Sequence, residues 1–191
     1  MTHISIIGTG NMGQAIASVA AKGGHTVQLL GQSDSNAQVD GEVVVLAVPY
    51  PALAAVIAER GTSLVGKIVV DITNPLDFET FDSLTVPTDS SAAAEVATAL
   101  PESRVLKAFN TTFAGTLVAG TIGDQQTTVL IAGDDADAKS TLAGIVTSGG
   151  LAAVDAGTLK RARELEAAGF LQLTLAASEK ISWTGGFATV A

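Results

Sequence analysis

The stretch Gly8-Thr9-Gly10-Asn11-Met12-Gly13 decides the fold of this chain. It follows the apolar residues 4–7, which predict a buried strand, and it opens a predicted helix over residues 11–22. A strand, a glycine turn and a helix in immediate succession are the context in which the G-x-G-x-x-G spacing binds a dinucleotide. The order of these elements supports that interpretation more strongly than the spacing alone.

Each glycine of this turn has a separate predicted role. Gly8 makes the tight turn, Gly10 lets the backbone approach a diphosphate, and Gly13 lets the helix pack closely on the strand. The first turn of the helix presents unpaired N–H groups and a partial positive charge to an anion. We therefore predict that all six residues from Gly8 to Gly13 contact the cofactor.

Composition limits the classes of protein to which the chain can belong. Its 191 residues suit one large domain or a domain with a small addition, and 47% hydrophobic residues can build a core. A net charge of −9 argues against a nucleic-acid partner. The absence of cysteine excludes disulfides and fits a cytoplasmic location. No apolar run is long enough to span a bilayer, so no membrane partner is expected.

Strand and helix patterns alternate along the whole chain. This alternation predicts an α/β fold with a Rossmann-type, doubly wound parallel sheet. Strands are predicted at residues 4–7, 25–30, 43–48, 68–71, 104–108, 127–132 and 151–155. Helices are predicted at residues 11–22, 52–60, 91–100, 111–118, 134–148 and 158–181.

Ligands of such sheets bind outside the carboxyl ends of the strands, and these ends supply further candidates. Val48, Pro49 and Tyr50 end the third predicted strand, and Tyr50 either stacks on a ring or caps the core. Asn74 follows the fourth strand on the nicotinamide side, where it either binds ligand or forms a turn. No nucleophile, metal cluster or carboxylate pair presents itself, so neither a catalytic side chain nor a metal is predicted.

Two charged positions need an explanation in the predicted fold. Lys107 lies inside the fifth strand, where an unpaired buried charge is costly, so it should face a partner or the cleft unless that strand is at an edge. Arg163 and Glu166 stand three residues apart on the last helix. We interpret them as an ion pair on the surface.

Four stretches of the chain resemble the NADPH-dependent reductases of the deazaflavin coenzyme F420, and the cytosolic domains of some membrane metalloreductases are similar. They are residues 8–13, 47–49, 105–114 and 155–157. The resemblance implies a Rossmann domain at residues 1–124 and a small C-terminal α/β part at residues 125–191 that ends in a long helix. It also implies an acceptor cleft between the two parts and a homodimer formed through the second.

The resemblance extends to individual residues. Members of the family often carry arginines after strand two that grip the 2′-phosphate of NADP, where this chain has Gln32 and Ser33. Both side chains can donate to a phosphate, so we favour NADP over NAD. Asn110 and Thr111 follow strand five and are predicted to bind the substrate. Some family members have histidine at the position of Asn110.

The resulting hypothesis is an NAD(P)H-dependent oxidoreductase that passes hydride to a small planar acceptor, coenzyme F420 or a flavin. Such a transfer needs two stacked rings and exclusion of water, and no side-chain nucleophile. The alternative is a non-catalytic NAD(P)-binding redox sensor. A β-hydroxyacid-type dehydrogenase is disfavoured, because too few residues follow position 155 for its helical second domain.

Overall fold

A seven-stranded sheet forms the centre of the molecule, for which a computed structural model describes residues 1–190. The strands lie in the order β2-β1-β3-β4-β5-β8-β9, and β6 and β7 form a separate hairpin. Their bounds are β1 His3–Ile7, β2 Thr26–Leu30, β3 Val43–Leu46, β4 Ile68–Asp71, β5 Arg104–Lys107, β6 Thr121–Ile122, β7 Gln125–Gln126, β8 Thr128–Gly133 and β9 Ala152–Gly157.

Helices cover both faces of the sheet, as a doubly wound fold requires. One apolar layer joins the sheet to α1, α4 and α5, and a second joins it to α2, α3 and the start of α6. The helices are α1 Asn11–Lys22, α2 Leu53–Leu64, α3 Ala92–Ala99, α4 Ala114–Ala119, α5 Ala136–Ser148 and α6 Ala162–Ala177. Short 3-10 turns span Gln32–Asp34, Tyr50–Ala52 and Leu159–Arg161.

The two central strands show why the sheet lies in the interior. Every residue of β3 and β4 is buried, and both strands are almost wholly apolar. A strand that is apolar at every position is stable only when both of its faces are covered. The strand order reverses between β1 and β3, and in open α/β sheets ligands bind at this reversal.

The predicted fold class is confirmed, with one difference at β8. Strands β1 to β5 are parallel, whereas β8 pairs antiparallel with β5. The connection from β5 to β8 contains the six-residue helix α4 and the hairpin of β6 and β7. A helix of that length rises about 9 Å, which is too short to cross the sheet and return beside a strand in the parallel sense. The chain therefore enters β8 from the carboxyl edge of β5.

The pairing of β8 with β5 also bears on the predicted boundary between two domains at residue 124. Strands β8 and β9 belong to the same sheet as β1 to β5, and β8 extends past Lys107, the last residue of β5. The second part thus continues the sheet of the first. Whether residues 125–191 form a separate domain is still a prediction.

The long helix α6 ends at Ala177, four residues earlier than predicted.

Candidate functional site

The glycine turn brings the end of β1 and the start of α1 into close contact. Gly8 has φ of 119°, and a Cβ there would lie 2.1 Å from the carbonyl oxygen of Ala47. A Cβ on Gly13 would lie 2.1 Å from the carbonyl oxygen of Gly8. A Cβ on Gly10 would meet no atom within 4 Å. Two of the glycines therefore let the strand ends and α1 pack together, while Gly10 faces open space.

The amino end of α1 is open to a ligand. Gly10 is its N-cap residue, in an extended conformation, and no side chain caps the helix. The first N–H groups of a helix have no partner within it, and the helix dipole adds a partial positive charge. These groups fit the diphosphate of a dinucleotide, whose charge they can bind without a cationic side chain.

A cleft of about 330 Å³ opens on one side of this turn. It lies at the carboxyl ends of β1, β2 and β3, where a Rossmann fold holds the adenosine half of its cofactor. Among the predicted contacts, it is lined by Gly8, Thr9, Gly10, Gln32, Val48 and Pro49. Ser33 is exposed in the adjoining 3-10 turn and does not line the cleft.

Arg60 also lines this cleft, and the sequence analysis did not identify it. It comes from α2, and although charged it is only 5% exposed. Its guanidinium donates to the carbonyl oxygens of Asp34 and Ala37, the latter at 3.1 Å. Asp34 in turn accepts from the N–H of Gly31 at 2.8 Å. Arg60 thus fixes the loop that presents Gln32 to the cleft.

Replacement of Arg60 by methionine should weaken dinucleotide binding about tenfold, because each hydrogen bond from a charged donor contributes roughly 1.5–3 kcal/mol and only part of this loss acts through the loop on the ligand. The methionine keeps the apolar stem but leaves two loop carbonyls without their donor. Calorimetric titration with NADPH measures the effect. Arg104→Met is the matched control, since Arg104 is exposed and its guanidinium donates to the carbonyl oxygen of Gly66, away from the cleft. Equal dissociation constants for the two variants would contradict this role of Arg60.

A second cleft, of about 430 Å³, opens on the other side of the glycine turn. Asn11 and Met12 of α1 line it together with Asn74 after β4 and Asn110 after β5. Apolar walls come from Ile72, Phe109, Phe113, Leu173 and Trp183. The structure therefore brings Asn74 and Asn110 together with the turn, whereas Thr111 lies beside them without lining the cleft.

The two asparagines hold each other in a fixed orientation. Asn74 Nδ2 donates to the carbonyl oxygen of Asn110, and Asn110 Nδ2 donates to Asn74 Oδ1, both at 2.9 Å. Asn110 Nδ2 also donates to the carbonyl oxygen of Leu165 in α6 at 2.8 Å. Because both of its N–H groups are used, the amide of Asn110 cannot flip. Its Oδ1 is buried and has no partner within the structure.

Lys107 forms ion pairs with two buried carboxylates, Asp71 and Glu166. Its Nζ lies 2.8 Å from Asp71 Oδ2 and 2.8 Å from Glu166 Oε1, and all three side chains are almost completely buried. Glu166 also accepts from the N–H groups of Ala92 and Ala93 at the start of α3. This buried triad, Asp71, Lys107 and Glu166, joins β4, β5 and α6.

The triad corrects the interpretation of Glu166 as a surface residue. Glu166 is 1% exposed and pairs with Lys107 and not with Arg163. The ion pair on the surface of this region joins Arg161 and Glu164 at 3.2 Å. The spacing of charges along a helix did not reveal which face of α6 packs on the sheet.

Tyr50 lies apart from the other predicted contacts. It lines a groove between α2 and α3, and its hydroxyl donates to Glu95 Oε2 at 2.8 Å. Burial, together with the hydrogen bond to Glu95, raises the pKa of Tyr50 to about 12. The side chain of Tyr50 lines neither of the two clefts beside the glycine turn. Its contact with the cofactor is still a prediction.

Several known proteins resemble this chain in sequence. The family model described as NADP oxidoreductase, coenzyme F420-dependent, matches residues 28–75. The F420-dependent NADP reductase of Methanocaldococcus jannaschii is 31% identical over 166 residues, covering 85% of this chain and 74% of that protein. Metalloreductase STEAP3 of Rattus norvegicus is 31% identical over 179 residues. That match covers 86% of this chain, which spans only 36% of the metalloreductase.

Solved structures share the fold. A crystal structure from Arthrobacter sp. FB24, provisionally described as an F420-dependent NADP-reductase, superposes with a TM-score of 0.87 at 24% identity and full coverage of both chains. The imine reductase of Myxococcus stipitatus in complex with NADP+ gives a TM-score of 0.66 at 17% identity, covering 93% of this chain and 63% of the other. Among residues 1–190, no helix combines the length and hydrophobicity needed to cross a bilayer.

The chain belongs to the family of coenzyme F420-dependent NADP oxidoreductases.

Proposed function

We propose that this protein transfers hydride between NADP(H) and a planar acceptor, coenzyme F420 or a flavin. The observation that carries the proposal is the position of the glycine turn between two clefts. One cleft borders Gly10 and Gln32, and the other borders Asn11 and Met12. A dinucleotide bound across the open amino end of α1 would therefore have its adenosine in the first cleft and its nicotinamide in the second.

The residues of the second cleft suit a transfer between two rings. When bound, the dinucleotide would supply the hydride, and the reduced acceptor would also need one proton, which solvent can supply at the open mouth of the cleft. The apolar walls, among them Ile72, Phe113 and Leu173, exclude water from the two rings. Asn74 and Asn110 offer fixed polar atoms that orient a ring edge. Proximity and orientation are the main contributions that such a reaction needs.

Individual residues and the family indicate which dinucleotide binds and how many copies of the chain assemble. Gln32 lines the first cleft and its amide can donate to a 2′-phosphate, which supports NADP over NAD. Asn110 provides hydrogen bonding without a titratable group, so protonation of the acceptor by this residue is not part of the proposal. A homodimer is expected from the family.

The test combines binding with turnover. Purified protein is titrated with NADPH and with NADH by calorimetry, and reduction of F420 and of FMN is then followed by absorbance. We expect tighter binding of NADPH and reduction of at least one acceptor. No binding at millimolar cofactor would refute the proposal. Binding without turnover of either acceptor would instead support the redox sensor.

A further inference from the structure

We propose that Trp183 is the aromatic platform on which the acceptor ring stacks. This inference rests on the proposed function, and it assigns to the chain's only tryptophan a role that neither the glycine turn nor the family comparison indicates. Trp183 follows α6, in the segment of residues 182–187, which we call the C-terminal tail. The tail folds back across the second cleft, and Trp183 and Thr184 form part of its lining.

A buried glutamine fixes the tail in this position. Gln172 of α6 is 2% exposed, and its Nε2 donates to the carbonyl oxygen of Thr111 at 3.2 Å. Its Oε1 accepts from the N–H of Phe187 at 2.9 Å. Gly186 passes so close that a Cβ there would lie 2.9 Å from Gln172 Oε1. One side chain therefore ties the tail to the carboxyl end of β5, where the substrate is predicted to bind.

The indole is held against a second aromatic ring. The ring centroids of Trp183 and Phe113 are 5.0 Å apart, at an interplanar angle of 58°, within the range of favourable aromatic pairs. On its other side, the tail packs against α4, where a Cβ on Gly115 would lie 3.1 Å from Thr184 Cγ2. Phe113 is buried, whereas Trp183 remains 53% exposed. The tail thus supports the indole while leaving about half of it free for a ligand.

The surroundings of Trp183 define the class of ligand. The cleft is mainly apolar, and its volume lies in the range typical of sites for small organic ligands. A flat aromatic ring gains most from stacking on an indole. Asn110 lines the same cleft, and the one polar atom of its amide that has no partner among residues 1–190, Oδ1, is an acceptor and so matches a ring N–H. These features favour a planar heterocycle that carries an N–H, as deazaflavins and flavins do.

Paired substitutions separate stacking from bulk. Trp183→Leu keeps an apolar side chain without a π-system, and Trp183→Phe keeps a ring. We expect Trp183→Leu to raise the KM of the acceptor about tenfold, as for loss of an aromatic pair, and Trp183→Phe to stay within about threefold of wild type. The KM for NADPH should not change in either variant. Phe187→Leu is the matched control, since Phe187 is an exposed aromatic residue of the same tail that does not line the cleft.

A spectroscopic measurement tests contact directly. FMN that stacks on indole loses its fluorescence by electron transfer from the indole, which requires contact. We expect bound FMN to be dark in wild type and bright in Trp183→Phe, with binding monitored independently by equilibrium dialysis. Equal acceptor KM values for wild type and Trp183→Leu, or bright FMN on the wild-type protein, would overturn the platform while leaving the proposed function intact. Dark, bound FMN together with no reduction of either FMN or F420 would contradict the proposed function and leave the platform standing.

Discussion

Replacing Lys107 by methionine should lower the free energy of unfolding by about 3–5 kcal/mol, because it leaves two buried carboxylates without their cation. For a chain of this size, that corresponds to a fall in Tm of roughly 10 °C. Lys107 is 0% exposed, and within residues 1–190 it is the only cationic partner of Asp71 and of Glu166. Thermal unfolding followed by circular dichroism measures the change.

The control is a lysine with a similar contact in a different environment. Lys139 also lies 2.8 Å from a carboxylate, Asp155, whose side chain is 60% exposed. An exposed pair contributes about 0–1 kcal/mol, so Lys139→Met should change Tm little. If Lys107→Met and Lys139→Met unfold at the same temperature, the buried contacts of Lys107 stabilise the fold no more than an exposed ion pair does. That result would contradict the prediction.

The triad also predicts a dependence of stability on pH. Burial raises the pKa of Glu166 above its ordinary value of 4.5, and the charge of Lys107 opposes this increase. Between the ordinary and the raised pKa, the folded protein binds more protons at Glu166 than the unfolded chain does. The free energy of unfolding contributed by Glu166 therefore falls as pH rises through this window. Glu166→Gln removes the titration, so its stability should fall less than that of wild type over the same range. A steeper fall would contradict the sign.

Replacing Gly10 by alanine should weaken binding of NADPH about a hundredfold, equivalent to roughly 2.7 kcal/mol. The free protein should lose less than about 1 kcal/mol, the cost of a poorer N-cap residue. The reason is the open space at Gly10, where a Cβ would meet nothing within 4 Å in the free protein. It would occupy the approach of a diphosphate to the amino end of α1. Calorimetric titration and thermal unfolding measure the two quantities separately.

Gly13→Ala provides the contrast. Its Cβ would lie 2.1 Å from the carbonyl oxygen of Gly8, so α1 must move away from the end of β1. We expect this variant to lose stability and binding together. If Gly10→Ala binds NADPH as wild type does, the diphosphate does not lie over Gly10, and the proposed path of the dinucleotide is refuted.

Much of the fold could be predicted because the sequence pattern is local. The glycine turn fixes the end of β1, and helix α1 occupies the residues predicted for it, Asn11–Lys22. Strand β4 also has its predicted bounds, since its four residues lie between two turns. The antiparallel β8 was not predicted, because strand direction depends on the length of the connection and on where α4 packs.

The parts of the site that were missed depend on contacts distant in sequence. Arg60 reaches a loop 23 residues earlier, and Glu166 caps α3 from 74 residues away. Neither residue belongs to a motif, and a lone charge in a helix gives no sign of its partner. Lys107 was the exception. A lysine inside a buried strand requires a counter-charge, so the existence of a partner could be inferred, although its identity could not.

The two edge strands of the sheet have a consequence for self-association. At one edge, Asp155 of β9 places a charge, and the pairing of β8 with β9 has an irregularity between Ile131 and Ala132. At the other edge, β2 presents Thr26 and Gln28, and the amide of Gln28 is already bonded to the loop at Gln38 and Asp40. Charges and register shifts at an edge hinder the addition of a foreign strand. Two copies of this chain should therefore meet through helices, without a continuous sheet, and the sheet edges should resist fibril growth.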